Sequence, residues 1–108
     1  MSLNVIFDPK APQEEVIYSF DFSPLLASGE VISSAVITCR IYSGYDPNPE
    51  DLISGTLVNN SPIITQEIKG GILNNVYLLK CLATIDNGEK RLIVASLTIQ
   101  ELEPHNYS

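Results

Sequence analysis

The sequence predicts an all-β protein built as an antiparallel β-sandwich of about six to seven strands. Three observations lead to this fold class. Apolar and polar residues alternate over short stretches along most of the chain, which is the period of a half-buried strand. Clusters of glycine, proline and asparagine separate these stretches, and no segment has the apolar period of a long amphipathic helix. The 108 residues are enough for one domain with a single core.

The chain is predicted to have three parts. Residues 1–14 contain Pro9 and Pro12, each of which removes an amide donor, and should form an extended N-terminal arm. Residues 15–102 should form the β-sandwich domain, and the polar residues 103–108 a flexible C-terminal tail. The strands predicted within the domain are residues 15–22, 31–43, 56–58, 63–68, 76–85 and 90–102.

Turn-forming residues account for the breaks between these strands. Ser23-Pro24 begins a single helical turn, and its Leu25 and Leu26 should close one end of the core. The segment 43–55 is rich in proline, glycine and acidic residues and is predicted to be the largest loop. Asn87-Gly88 supplies the positive backbone angles of a tight hairpin between the last two strands.

The two cysteines favour an immunoglobulin-like sandwich. Cys39 and Cys81 each fall on the apolar side of a central predicted strand, as the bridging cysteines of antibody domains do. The chain differs from those domains in having no Trp, a shorter cysteine spacing, and Tyr77 four residues before Cys81 rather than two. The N-terminus lacks a signal segment, so we expect a cytoplasmic protein whose cysteines are buried core thiols, with a disulfide as the alternative.

Charge and hydropathy exclude two classes of partner. Thirteen acidic and six basic residues give a net charge of -7, which would repel a phosphate backbone. No apolar run approaches the roughly 20 residues that a membrane-spanning helix needs. We therefore expect no nucleic acid and no membrane, and the low charged fraction of 18% favours protein partners.

No cluster of residues predicts a reaction or a bound cofactor. The only histidine, His105, lies in the predicted tail, and no CxxC or HxxxH spacing occurs, so no catalytic, cofactor-binding or metal residues are predicted. Asp46, Glu50 and Asp51 do not have the spacing of an EF-hand loop, and a solvated loop is the preferred interpretation. Gly70-Gly71 is not followed by Lys-Ser or Lys-Thr, which indicates a turn rather than a phosphate loop.

The candidate partner contacts are aromatic and apolar side chains outside the predicted core. Tyr42 and Tyr45 flank the long loop, and aromatic rings give a large contact area at low entropic cost. Ile6 and Phe7 lie in the predicted arm, and we hypothesise that they anchor it in a groove of a partner. Exposed edge strands offer a second route, because they can accept a strand from another protein.

Five short motifs occur in a fixed order along residues 8–102. They are Asp8-Pro9, Phe20-Asp21-Phe22-Ser23, Gly29-Glu30, Gly70-Gly71 ahead of Tyr77, and Thr84 to Gly88. This order resembles a family of small bacteriophage structural proteins, the fibre-to-tail adaptor or head-to-tail region proteins. Phe22 stands where the family pattern has Trp, and residues 45–60 are longer and more acidic than that pattern.

The resemblance implies a function for the whole chain. Such a protein is a non-enzymatic virion component, present in several copies around the neck or tail, that joins one part of the particle to another. Its partners are tail, neck or fibre subunits, and it assembles in the host bacterial cytoplasm.

Two other functions fit a small β-sandwich. A carbohydrate-binding or adhesive module needs surface aromatics in a groove, and the lack of Trp counts against it. An accessory or inhibitor protein would act through the loop 43–55.

Overall fold

The computed structural model describes residues 2–101, and these form seven strands. The strands are β1 (Ser2–Ile6), β2 (Glu15–Asp21), β3 (Ile32–Ser43), β4 (Ile53–Asn60), β5 (Ile63–Lys69), β6 (Val76–Ile85) and β7 (Lys90–Thr98). Two short 3₁₀ turns, Ser23–Leu25 and Pro49–Leu52, lie in the β2–β3 and β3–β4 connections. Each has a proline in its first positions, where the missing amide donor costs nothing.

The strands form two sheets, which confirms the predicted all-β sandwich. The larger sheet has the order β1-β7-β6-β3, and the smaller has the order β2-β5-β4. All neighbouring strands are antiparallel except β1 and β7, which are parallel. The immunoglobulin-like assignment stays a prediction.

The predicted N-terminal arm lies on the sandwich in this structure. β1 pairs with β7, and Leu3 and Val5 extend the inner face of the larger sheet, where both pack against the core. Beyond β1, the Lys10 N–H donates to the Thr98 carbonyl at 3.1 Å. The segment is extended, as predicted. Its first part, β1, is an edge strand of the larger sheet, and its alternate apolar residues face the core as those of β7 do.

The core lies between the inner faces of the two sheets. On β6 the four inward-facing residues from Tyr77 to Ala83 are fully buried. Phe20 and Phe22, at the end of β2, face them from the smaller sheet side and are also buried. Leu25, in the first 3₁₀ turn, is buried in the same cluster, and Leu26 packs against it.

The predicted boundaries of β2, β3, β5 and β6 agree with the structure to within one residue, whereas β1, β4 and the end of β7 differ. The sequence predicted a strand over residues 56–58 after a long loop, whereas β4 begins at Ile53. The alternation is obscured there because pairing with β5 is interrupted between Ser54 and Val58. The last predicted strand ends earlier, at Thr98. Leu102 and the predicted tail, with His105, lie outside the described residues.

Candidate interaction surfaces

Cys39 and Cys81 are free, buried thiols in the larger sheet. Cys39 pairs with Leu79 and Cys81 with Ile37, so the two thiols lie diagonally on neighbouring strands of one sheet. In antibody domains the bridge spans the two sheets, and this arrangement differs. Burial raises the pKa of each thiol to about 12, and for Cys39 the charge of Glu50 adds to this effect. Both thiols are therefore protonated at neutral pH and are poor nucleophiles.

The four predicted contact residues differ in exposure. The side chains of Ile6, Tyr42 and Tyr45 are 87%, 70% and 76% exposed. Phe7 is half-buried, because its ring stacks on Tyr18 within the chain's own core. Anchoring of Phe7 in a partner stays a prediction, and it would require this stack to open.

One side of the sandwich, between β1 and β2, is sealed by side chains, and we call it the closed side. The ring centroid of Phe7 lies 4.5 Å from that of Tyr18 in a stacked arrangement and 5.2 Å from that of Phe20 in an edge-on one. The Tyr18 hydroxyl donates to the Asp8 carbonyl at 2.9 Å. These contacts fix the segment after β1 against β2.

Lys10 completes the closed side and is fully buried. Its Nζ donates to the carbonyls of Gly70, at 2.6 Å, and Ala11, at 2.7 Å. Burial lowers the pKa of the Lys10 amino group, and the charges of Glu14 and Glu15 oppose that shift. Sequence reasoning missed this residue, because a lysine among prolines has the pattern of a solvated segment.

The opposite side, between β3 and β4, is an open groove, and we call it the open side. The groove has a volume of about 510 Å³. None of the residues that line it is charged: Ser33, Ser34, Ala35, Val36, Ile37, Ile53, Gly55, Thr56, Leu57, Asn59 and Gln66. In a chain with a net charge of -7, this neutral lining sets the groove apart.

Side chains cap the free edge of β3 at two positions. At the first residue of β3, the Ile32 N–H donates to Ser61 Oγ and the Ile32 carbonyl accepts from Asn59 Nδ2, both at 3.0 Å. Farther along the strand, the Cys39 N–H donates to Glu50 Oε2 at 2.9 Å. Such caps prevent a new strand from pairing at these positions.

The middle of the same edge is open. In an antiparallel strand, successive residues point their backbone groups alternately toward and away from the partner strand. The N–H groups of Ile37 and Ala35 therefore point away from β6, as that of Cys39 does. Within residues 2–101 no side chain donates to or accepts from the backbone of either residue.

A bulge in β4 keeps the groove open. Pairing with β5 is interrupted between Ser54 and Val58, and Gly55 there has a φ of 71°, which favours glycine. Gln66, on β5, is 2% exposed and donates to the carbonyls of Ser54, at 2.7 Å, and Glu67, at 3.1 Å. Gln66 thus satisfies a carbonyl that the bulge frees and holds the bulge in place.

The long loop between β3 and β4 is held at its base. The Tyr77 hydroxyl donates to Asp46 Oδ2 at 2.7 Å and accepts from the Ile72 N–H at 3.0 Å. Asn75 Nδ2 donates to the backbone carbonyl of Tyr45 at 2.9 Å. The ring of Tyr45 lies in solvent. Asp46 therefore has a structural role, and so does Glu50, which accepts from the Cys39 N–H of β3. The interpretation of this segment as a solvated loop did not predict either role.

Two kinds of feature are absent from the part of the chain that the structure describes. No group of three or more His, Cys, Asp or Glu residues there could hold a metal ion. No helix among residues 2–101 has the length and apolar character needed to cross a membrane.

Comparisons with known proteins bear on the whole domain. A family model described as "Podophage GP4 fiber-tail adaptor protein gp77" matches residues 10–100. That range includes β2 to β7 and the whole open side, while β1 and Phe7 of the closed side precede it. The comparison with curated proteins found no match.

Proposed function

The chain belongs to the podophage fibre-tail adaptor family, and from this premise we propose that it is a non-enzymatic virion protein that joins tail-fibre or neck components to the phage tail. Several copies act in each particle, and they assemble in the host bacterial cytoplasm. The family supports the structural adaptor role, and the surfaces described above support the joining step.

The open middle of the β3 edge is the observation that carries this proposal. A partner segment in extended conformation can form backbone hydrogen bonds to Ala35 and Ile37. Every second side chain of that segment then enters the groove, against Ile53 and Leu57 of β4. Because the lining carries no charge, an uncharged segment binds there without desolvating an ion.

The exposed tyrosines extend this contact. Tyr42 lies near the end of β3, and Tyr45 follows in the adjoining loop. Both rings are free to pack on a segment that continues past the groove, where their apolar bodies add contact area. We propose that Tyr42 and Tyr45 contact the same partner.

The burial and hydrogen bonding of the thiols and carboxylates support a non-enzymatic role. The thiols of Cys39 and Cys81 are buried and protonated. Asp46 accepts from Tyr77, and Glu50 accepts from the Cys39 N–H, so both carboxylates are engaged in holding the fold. Neither the two thiols nor these two carboxylates form the pair of nucleophile and neighbouring base that covalent catalysis requires.

The proposal is tested by placing a charge in the groove. Ala35→Lys introduces an ammonium into the uncharged lining, and Ala27→Lys makes the same change in the exposed β2–β3 connection. Each variant complements a phage that lacks the wild-type gene, and mass spectrometry measures fibre and adaptor proteins in purified particles. We expect particles with Ala35→Lys to contain the adaptor but lose at least tenfold in fibre content, while Ala27→Lys particles match wild type.

Two results would count against the proposal in different ways. Normal fibre content in Ala35→Lys particles would show that the groove is not the joining site. Absence of the wild-type protein from purified particles would show that it is not a virion component at all.

A further inference from the structure

The outer face of the larger sheet is more apolar than a solvent-facing sheet normally is. The strand register places Val36, Leu82 and Leu92 in one row across β3, β6 and β7. Leu78 and Val94 lie on the same face in neighbouring rows. Val36 is 61% exposed and Leu82 is 39% exposed. Strand β6 is therefore apolar on both faces, which is typical of a strand that is covered on both sides.

The charged residues on this outer face are all basic. Arg40 and Lys80 lie within it and Lys90 lies at its rim, and none of its positions on β1, β3, β6 or β7 is Asp or Glu. Arg40 and Lys80 take part in no ion pair with any residue that the structure describes. An acidic chain thus presents one apolar face with unpaired positive charge.

The outer face of the smaller sheet has the opposite charge. Glu15, Asp21 and Glu67 lie on it with a single cation, Lys69. Ile17, next to Glu67 in the register, is 68% exposed at its centre. This second face therefore combines exposed apolar area with net negative charge.

We propose that copies of this chain stack head to tail, with the outer face of the larger sheet of one copy on the outer face of the smaller sheet of the next. The proposal rests on the proposed function, in which several copies act together. Arg40 and Lys80 then lie near Glu15 and Glu67 of the next copy, and the apolar rows of both faces are buried. The two faces lie on opposite sides of one sandwich, so the contact is heterologous and can repeat from copy to copy, which gives a ring when the rotation between copies closes.

A charge exchange tests this pairing. Lys80→Glu places an acid against the acidic face of the next copy, and Glu67→Lys places a base against the basic face. Analytical ultracentrifugation of the full chain at low and high salt measures self-association. We expect wild type to associate more weakly at high salt, and each variant alone to associate at least tenfold more weakly than wild type.

Mixing the two variants should restore assembly. In an equimolar mixture the two variants can alternate along the stack. Half of the contacts then place Lys80 near Glu67, as in wild type, and the other half place the new carboxylate of Lys80→Glu near the new amine of Glu67→Lys, so every contact is attractive. Lys69→Glu is the matched control, since it makes the same substitution on the face that is already acidic and should not weaken association. A monomeric wild type, an unaffected Lys80→Glu, or a mixture that stays dissociated would overturn the proposal.

Cross-linking in purified particles separates this inference from the proposed function. A chain carrying both Glu67→Cys and Lys80→Cys should form a ladder of linked copies on oxidation, and either substitution alone should form none. Linked dimers of a single-substitution variant would indicate a two-fold contact and contradict the stacking. If the doubly substituted protein is present in particles but does not cross-link, the stacking is wrong and the adaptor function stands.

Discussion

The closed side and the open side of the sandwich join the same two sheets by different means. On the closed side, the Phe7–Tyr18 stack and the buried Lys10 connect β1 and its following segment to β2 and Gly70. On the open side, β3 and β4 are held apart by the bulge that Gln66 supports, and side chains cap the β3 edge only at Ile32 and Cys39. The closed side therefore holds the fold together, and the open side is free to bind.

The difference shows how a small domain can keep an edge strand available without losing stability. An open edge is a hazard in most proteins, because it pairs with any exposed strand. Here caps at Ile32 and Cys39 remove two of the pairing positions on the free edge of β3. The domain can tolerate this opening because the aromatic contacts and the buried amine close the other side.

Removing residues 1–10 should have the largest effect. The deletion takes away β1, Phe7 and Lys10, exposes the edge of β7, and leaves the Gly70 carbonyl without its donor. We expect the truncated chain to lose its cooperative thermal unfolding transition, as measured by circular dichroism. On the open side, Thr56→Lys is the control, because Thr56 is an exposed residue of the groove, and this variant should keep a cooperative transition close to that of wild type. Retention of the wild-type transition after truncation would mean that the closed side does not hold the fold.

Lys10→Ala should have the next largest effect. It leaves a void and removes the donor from one buried and one partly buried carbonyl, which together cost about 3 kcal/mol of unfolding free energy. Lys10→Met fills most of the volume without donating a hydrogen bond, so its loss should be smaller. Urea denaturation of the three proteins measures both differences, and equal stability of Lys10→Ala and wild type would show that the buried amine holds nothing.

Tyr18→Phe should have a smaller effect that depends on pH. Burial, with the charges of Glu14 and Asp8, raises the pKa of Tyr18 from 10.0 to about 12. Between these values the unfolded chain loses the proton that the folded chain keeps, so wild-type stability falls as pH rises from 10 towards 12. At pH 7 the variant should be about 1 kcal/mol less stable, because it lacks the hydrogen bond to the Asp8 carbonyl.

This gap between Tyr18→Phe and wild type should shrink above pH 10, since phenylalanine has no proton to lose. Denaturant unfolding at several pH values between 7 and 11 measures it. A gap that stays constant over this range would show that Tyr18 does not titrate differently in the folded and unfolded chains.

Local patterns predicted the central strands well. The alternation over residues 76–85 predicted β6 with its observed bounds, and Asn87-Gly88 lies in the turn between β6 and β7. β4 was harder to predict, because a bulge at Gly55 disrupts the alternation on which the prediction depends. Apolar residues on both faces of β6 were visible in the sequence, and the proposed stacking of copies gives a reason for them.

The candidate contacts were predicted less completely. Tyr42 and Tyr45 lie in solvent, where a partner can reach them. The packing of Phe7 against the core could not be predicted from residues 1–14, because its contacts Tyr18 and Phe20 lie on β2. One of the two carbonyl partners of Lys10 belongs to Gly70, which is 60 residues away.

The sequence by itself determined the all-β class, the faces of β2, β3, β6 and β7, and the tight hairpin between the last two strands. These depend on neighbours within a few residues, where periodicity and turn preference act. Only the tertiary structure decided that β1 joins β7, that one side is closed and the other open, and that basic and acidic residues lie on opposite outer faces. Those features depend on which distant strands pair, and the period of a single strand carries no information about its partner.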